Sequence, residues 1–409
     1  MKLRAKECCK SIAIVLLLCS LVLLTVAAIR GAGTVTAAAG SSGSGGAPAQ
    51  ETASDAAMPL EISALGTAGR VSWRGDFSAL DAAFERYGGY LASAMDAASS
   101  GETISEADFL AALKKPGVCF TYPCALPVDL PASWLDASSP DTQVYAQRFL
   151  VTVSDRTVQL LIAGESYQRF DTGLDGAGLT AALEEVQPDG TFYACESGDA
   201  VCAALSPFTL FGGAGSPMPA ASAANPAGDA LLRAAATALG FNPYGGSYLD
   251  STGATVYTES DRTLRAASDG TLTLQSSGGA LTAPSASDAG LTGYAASLLS
   301  AAAADCLGDA RLYVTGFSRS GSSATVSFDY ILSGLPVSGP SVHAATFVFT
   351  DGILREMDAR LRTYTLDASA KLSYLPVKQA AAISAKGSYL SLRYADSGAD
   401  ALSVGWKAE

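Results

Sequence analysis

Two short acidic motifs are the residues of this sequence whose types most directly suggest chemistry. Asp171-Thr-Gly173 and Asp396-Ser-Gly398 match the Asp-Thr/Ser-Gly pattern of an aspartic protease, in which two carboxylates share one proton. In a chain with 41 glycines such tripeptides arise easily, and the apolar residues that bury the aspartic loops of proteases are missing from their flanks. We therefore predict that these two carboxylates do not form a catalytic pair.

A serine motif and one histidine are the other candidates for catalysis. Gly316-Phe-Ser-Arg-Ser-Gly321 has the wrong spacing for a Gly-x-Ser-x-Gly nucleophile elbow and is typical of a hairpin turn. His343 is the only histidine, and it stands at the start of a predicted strand, where a lone histidine usually has a structural role. The sequence contains no phosphate-binding loop, metal-ligand cluster or dinucleotide fingerprint. It therefore predicts a protein that is not an enzyme and binds no cofactor or metal.

The N-terminus contains an apolar run that predicts a membrane anchor. Residues 11–29 are uncharged, and at about 1.5 Å per residue they span roughly 30 Å of hydrocarbon. Four basic residues precede the run, which keeps residues 1–10 cytoplasmic and exports the remainder. Cleavage of a signal peptide and lipidation at Cys19 are the alternatives, but Ala37-Ala38-Ala39 lies far beyond the run, and Cys19 follows Leu18 where a lipoprotein needs a small residue. We expect a retained single-pass transmembrane helix and a localisation at the cell membrane, with an extracytoplasmic body.

One face of this predicted helix is a candidate for contact with another membrane protein. Ala13, Ser20 and Ala27 recur every seven residues and so fall roughly on one face. Small residues let helices approach closely in lipid. The other interpretation is that small residues are merely tolerated in an anchor.

The exported region would contain five of the eight cysteines. Cys119 and Cys124 are five positions apart, and Cys195 and Cys202 are seven apart. Neither spacing is Cys-x-x-Cys, and one histidine is too few for a typical zinc site, so the metal interpretation is weak. Export permits disulfides, and we predict that each pair closes a local loop while Cys306 stays reduced.

The composition limits the classes of function. The chain has 409 residues, 49% of them hydrophobic, which is enough for two or three domains. Its net charge is −13, and because residues 1–30 carry +4, the remainder carries −17. An acidic body repels phosphate backbones, so we expect no nucleic-acid partner.

Helical and strand patterns divide the chain into segments that would position these residues. Asp76 precedes a helical repeat that starts at Phe77, and Thr103-Ile-Ser-Glu106 has the pattern of a capping box. Helices near 229–239 and 289–306 are each followed by predicted strands with Asp-Gly turns, which indicates two related units. The predicted segments are a linker (30–58), an α+β domain (59–211), a second linker (212–227) and two helix-plus-hairpin modules (228–284 and 285–409).

Several patches in this order resemble one family. The patches are Leu239-Gly-Phe-Asn-Pro243, Val326-Ser-Phe-Asp-Tyr330, Gly334-Leu-Pro-Val337 and Leu390-Ser-Leu-Arg-Tyr394. Together with the predicted anchor they resemble the YycH/YycI family of membrane-anchored regulators of two-component systems, and YycH in particular. The exported cysteine pairs and the long Gly/Ser linker depart from the family.

The resemblance implies both a fold and a function. The implied fold class is α+β: a single N-terminal transmembrane helix, an N-terminal α+β extracytoplasmic domain and two PepSY-like modules of a helix plus antiparallel sheet. The implied function is to modulate a WalK-type sensor histidine kinase of cell-wall metabolism by contact, together with a related YycI-like partner. The alternative is a PepSY-like binding module that captures envelope peptides or restrains a secreted protease.

Overall fold

The described part of the chain is mixed α+β and mostly sheet. The structure, a computed structural model, describes residues 57–212, 218–226, 228–303, 306–339 and 341–409. All of them belong to one compact unit.

The first sheet is antiparallel and has the order β2-β1-β4-β5-β6-β7-β3. Its strands are β1 (Glu61–Leu65), β2 (Arg70–Trp73), β3 (Glu102–Ile104), β4 (Gly117–Pro127), β5 (Tyr145–Ser154), β6 (Thr157–Gly164) and β7 (Tyr167–Asp175). The helices in this part of the chain are α1 (Phe77–Asp96), α2 (Glu106–Leu113), α3 (Asp129–Trp134) and α4 (Ala177–Glu184).

Side-chain alternation along β4 gives this sheet two buried faces. Val118 and Phe120 pack in the main core, which also contains Leu80 and Tyr87 of α1. Cys119, between them, points the other way into a second cluster around α2. Successive residues of a strand point to opposite faces of the sheet, so a sheet that is covered on both faces needs apolar residues at odd and even positions alike. The sheet is therefore covered on both sides.

The two predicted helix starts had different outcomes. Asp76 caps α1 by accepting a hydrogen bond of 2.9 Å from the Ser78 N–H, which confirms the prediction. The predicted capping box was displaced by two residues: Ser105 is the cap, and its partner is Asp108. The cause is that Thr103 pairs with Gln168 of β7, which holds the expected cap in the sheet.

Short elements connect this sheet to a second one. They are β8 (Phe192–Tyr193), a 3₁₀ turn (Ala194–Glu196), α5 (Ala200–Ala203), β9 (Leu210–Phe211) and β10 (Met218–Ala224). Strand β10 lies inside the predicted linker 212–227 and pairs with β20 (Thr363–Leu372). Its Ala/Ser composition has no strand periodicity, so its pairing depends on β20. Residues 213–217 and 227 lie outside the described residues.

The second sheet has the order β11-β12-β13-β14-β19-β18-β16-β17-β21-β22, and β15 pairs with β16. Its strands are β11 (Ser247–Leu249), β12 (Thr255–Glu259), β13 (Arg262–Ala266), β14 (Thr271–Ser276), β15 (Ala310–Ser320), β16 (Ser323–Leu332), β17 (Leu335–Ser338), β18 (Ala345–Thr350), β19 (Ile353–Arg360), β21 (Leu390–Ala395) and β22 (Ser403–Ala408). The helices here are α6 (Gly228–Ala238), α7 (Asp288–Ala303) and α8 (Val377–Ile383).

The residues of the two predicted modules share this sheet. Strand β14, in 228–284, pairs with β19, in 285–409, and Leu274 lies opposite Met357. Helix α6 also packs against α7.

The expected fold class and membrane localisation are corrected by the structure. No helix of the described residues is long and apolar enough to cross a membrane. The 20-residue α1 contains the charged residues Asp81, Glu85 and Arg86, and α7 has only 16 residues. The expected span 11–29 with its contact face, the tail 1–10 and most of the linker 30–58 lie outside the described residues.

Candidate functional site

Three adjoining cavities form a groove beside the β21–β22 ribbon. We call them the apolar cavity (about 270 Å³), the outer cavity (about 770 Å³) and the polar cavity (about 660 Å³). Tyr374 and Trp406 line both the apolar and the outer cavity. Tyr389 and Ser391 line both the apolar and the polar cavity. The groove therefore runs from the α8 side of the ribbon to the first sheet.

Strand β21 contributes different residues to the walls of the apolar cavity and the polar cavity. Leu390 and Leu392 line the apolar cavity, whereas Arg393 lines the polar cavity. Ser391, which alternates with the two leucines, lines both cavities at their boundary. Trp406 of β22 lies opposite Leu392 in the ladder, and its indole N–H donates to the Leu375 carbonyl at 2.8 Å. The ribbon thus presents an apolar side and a polar side to a ligand.

A buried polar row crosses the first sheet beneath these cavities. Glu61 of β1 lies opposite Thr121 of β4, which in turn lies opposite Arg148 of β5. We call these three residues the polar row. Their exposed fractions are 6%, 3% and 8%, so the sheet buries a carboxyl, a hydroxyl and a guanidinium side by side.

Burial dominates the electrostatics of Glu61. Desolvation raises the pKa of its carboxyl above the ordinary value, and the positive charges of Arg74, Arg148 and Arg70 oppose that rise. The nearest ionic contact is loose, because the Arg74 guanidinium lies 3.7 Å from the carboxylate. Glu61 therefore holds a proton at higher pH than an exposed glutamate does.

Arg148 is held by aromatic rings. Its guanidinium carbon lies 4.4 Å from the ring centre of Phe208 and 5.6 Å from that of Tyr389. One terminal nitrogen, Nη1, donates to the Gln147 amide oxygen at 3.1 Å. Arg148 Nε and Thr121 Oγ1 are both buried, and neither has a hydrogen-bond partner among the described residues. Both residues line the polar cavity, so two unused donors lie buried directly beneath its wall.

A second polar cluster attaches the segment that contains Tyr193, Glu196 and Phe208 to the face of the first sheet that bears the polar row. The Arg70 guanidinium donates to both Glu196 carboxylate oxygens, at 3.1 and 2.7 Å, and to the Leu113 carbonyl at 2.7 Å. The Ser63 and Tyr193 hydroxyls share a hydrogen bond of 2.8 Å. A bidentate arginine–carboxylate pair fixes orientation as well as distance. This cluster therefore holds the segment that contains Phe208 in place.

The structure does not bring the predicted cysteine pairs together. Cys119, Cys124, Cys195 and Cys202 are free thiols. Cys119 faces the second cluster, whereas Cys124, on the other side of a register shift in β4, packs against the main core. Cys195 packs near Cys119, whereas Cys202 lies in a third cluster with Leu390. Burial raises the pKa of the Cys124 thiol to about 12 and also raises that of Cys119.

The two Asp-Thr/Ser-Gly aspartates belong to different parts of the fold. Asp171 is exposed on β7 and accepts a hydrogen bond of 2.8 Å from Gln159. Asp396 is buried just after β21 and is paired with Arg362. Each carboxylate therefore has its own local partner.

His343 has a carboxylate partner that the sequence did not indicate. Its Nδ1 lies 2.9 Å from Asp329, and the same carboxylate accepts from Thr315 at 2.6 Å and from the Ala344 N–H at 2.9 Å. Asp329 thereby connects β15, β16 and the segment before β18. Residues 316–320 of the Gly316–Gly321 motif belong to β15, and the hairpin turn to β16 begins only at Gly321, whose φ is +60°.

Sequence reasoning missed the groove and the polar row. Glu61, Thr121 and Arg148 are far apart in the chain and meet only through the sheet register. The one available signal was a charged residue directly before an apolar run, as at Arg148 before Phe149-Leu-Val151.

Comparison with known proteins gives no relative: no protein-family model, curated protein or solved structure matches this chain.

Proposed function

We propose that this protein is a non-enzymatic regulator that acts by protein–protein contact, and that its partner is a WalK-type sensor histidine kinase of cell-wall metabolism. The groove beside the β21–β22 ribbon carries the contact part of the proposal. The choice of partner, and of a YycI-like protein as a second partner, is supported by the sequence resemblance to YycH.

The apolar surface at the groove favours a protein partner. Ile383 of α8 is 77% exposed and Leu375 is about half exposed, and both line the outer cavity. Beneath them lie Trp406 and Leu390, which also line the apolar cavity. Clustered exposed apolar side chains beside a concave surface are typical of interaction sites. A partner side chain that entered this groove would cover all four residues.

A free strand edge adds a backbone contribution. Strand β22 pairs with β21 on one side, and within the described residues no strand pairs with Ser403–Ala408 on the other. An unpaired edge presents N–H and C=O groups to an incoming strand, and neighbouring pockets then select its side chains. The groove and the edge together suit an extended segment of the partner.

Affinity capture of the kinase tests this proposal. The full chain is immobilised and offered the detergent-solubilised kinase, and the double variant Leu375→Lys/Ile383→Lys should lose capture by at least about tenfold because it places charges in an apolar contact. The matched control is Leu249→Lys, which changes a side chain that is 70% exposed on β11, at the other edge of the same sheet.

The two parts of the proposal fail in different ways. Absence of capture by the unmodified chain rejects the kinase as partner. Capture that both variant proteins retain in full rejects the groove as the contact.

Capture of peptides, including restraint of a protease, is a second candidate function. The unpaired edge of β22 favours it, because strand addition serves peptide ligands equally well. A peptide array would separate the two functions: selection of extended apolar peptides, without capture of the kinase, would favour peptide capture.

A further inference from the structure

The junction of the apolar and polar cavities has the features of a small-ligand site. Leu60, Pro336, Tyr389 and Ser391 line both cavities, so a ligand can extend from one into the other. The apolar cavity, at about 270 Å³, has room for a group of a few carbon atoms. Thr121 and Arg148 line the polar cavity directly beside this junction.

Two buried donors at this junction are unused. Arg148 Nε and Thr121 Oγ1 have no hydrogen-bond partner among the described residues, and both side chains are more than nine-tenths buried. Leaving a buried donor unpaired costs roughly 1–3 kcal/mol. Thr121 and Arg148 are cross-strand neighbours, so their Cβ atoms lie roughly 5 Å apart.

Among the cations that line the polar cavity, Arg148 is the one without a close ion pair, and the carboxylate its charge acts on is Glu61 of the same row. Arg393 and Lys407 both pair with Glu409, and Asp329 is occupied by its own hydrogen bonds. No carboxylate of the described residues lies within 4.0 Å of Arg148. A buried cation is normally paired, because desolvation of an isolated charge is costly.

We propose that the junction binds a carboxylate carried next to an apolar group, with the carboxylate beside Arg148 and Thr121 and the apolar group in the apolar cavity. Glu61 and Arg74 also line the apolar cavity, and the Arg74 guanidinium, 3.7 Å from the Glu61 carboxylate, offsets its negative charge beside the ligand. Both the C-terminus of an apolar peptide and a free aliphatic acid have this chemistry.

Matched small probes test the proposal on the full chain. By isothermal calorimetry N-acetyl-leucine should bind at least tenfold more tightly than N-acetyl-leucinamide, which keeps the apolar group and loses the charge. Acetate should bind at least tenfold more weakly than N-acetyl-leucine, because it leaves the apolar cavity empty. Octanoate separates the two sources: tighter binding than N-acetyl-leucine supports an aliphatic acid, and weaker binding supports a peptide terminus.

A pair of threonine variants distinguishes a ligand role from a structural one. Thr121→Val removes only the unpaired hydroxyl, so it should weaken N-acetyl-leucine binding about five- to tenfold and leave the melting temperature unchanged or raised. Thr152→Val is the matched control: this buried threonine of β5 donates to the Pro116 carbonyl at 2.7 Å, so the substitution should lower the melting temperature and leave binding unchanged.

Either of two results would overturn the proposal. One is equal affinity for the acid and its amide, and the other is unchanged acid binding by Thr121→Val. The probes need no partner protein, so this site and the proposed kinase contact can fail separately.

Discussion

Arg362 and Asp396 form a bidentate ion pair in the interior of the protein. Arg362 Nε lies 3.0 Å from one carboxylate oxygen and Nη2 lies 3.2 Å from the other, and the two side chains are 6% and 0% exposed. The Tyr364 hydroxyl donates to the same carboxylate at 3.0 Å, and the Gly398 N–H donates at 2.8 Å. The pair ties the end of β21 to the start of β20, so the groove depends on it.

Removal of one partner of this pair should be strongly destabilising. Asp396→Ala leaves the Arg362 guanidinium buried without a counter-charge, and we expect a loss of about 3–5 kcal/mol in the free energy of unfolding by urea. The control is Asp171→Ala, the exposed aspartate of the other Asp-Thr/Ser-Gly motif, which should change stability by less than about 0.5 kcal/mol.

A double variant separates the charge effect from a packing effect. Arg362→Met/Asp396→Leu removes both charges and should recover most of the stability that Asp396→Ala loses. An Asp396→Ala protein as stable as the unmodified one would contradict the structural role assigned to this pair.

The polar row predicts how stability depends on pH. Burial raises the folded-state pKa of Glu61 above the ordinary 4.5, so between the two pKa values the folded chain binds more protons than the unfolded chain. The contribution of Glu61 to stability is therefore greatest below about pH 4.5 and is lost as pH rises through the folded pKa.

Replacement of Glu61 by its neutral isostere tests this dependence. Glu61→Gln should be more stable than the unmodified chain at pH 7, and the difference should shrink to near zero at pH 4. Urea unfolding midpoints at intervals from pH 4 to 8 measure it. Glu185→Gln, at a side chain that is 74% exposed, is the control and should show no such trend. A difference that grows toward low pH would have the wrong sign.

Local sequence patterns predicted the elements that depend on local interactions. The helical repeat and Asp76 cap of α1 and the Asp-Gly turns at Gly270 and Gly352 were all predicted, and both glycines have positive φ, +86° and +77°. These features need only a few adjacent residues, whose side-chain and backbone preferences act directly.

Features that depend on distant pairing were not predicted. Thr121, the cross-strand partner of Glu61, is 60 positions away in the sequence. The small residues of β10 have no strand periodicity, so the sequence alone does not predict their pairing with β20. The structure places Cys119 and Cys124 in different clusters, and likewise Cys195 and Cys202, although each pair is close in sequence. The groove arises where β17 meets β21 in a parallel pair, which no local pattern encodes.

Two glycines with similar backbone angles should differ in their tolerance of a side chain. Gly270 and Gly253 have φ of +86° and +82°, but a Cβ on Gly270 would lie 2.2 Å from the Leu361 carbonyl oxygen, whereas Gly253 has open space. Gly253→Ala should cost roughly 1–2 kcal/mol of backbone strain. Gly270→Ala should cost about 3 kcal/mol or more, since Leu361 must also move. Equal losses in thermal unfolding would show that the close approach is absent.

The last prediction concerns the cysteines, because their oxidation state determines whether disulfides contribute to stability. A small-loop disulfide would stabilise the fold by roughly 2–3 kcal/mol, and reductant would then lower the melting temperature. The structure has free thiols at Cys119, Cys124, Cys195 and Cys202, so we expect the same melting temperature with and without reductant. In denaturant without reductant, N-ethylmaleimide should alkylate all four, as read by peptide mapping. In the folded protein, Cys119 and Cys202 should react slowest, because each is only 1% exposed. A Cys195–Cys202 peptide that resists alkylation until reductant is added would instead establish the disulfide that the sequence suggests.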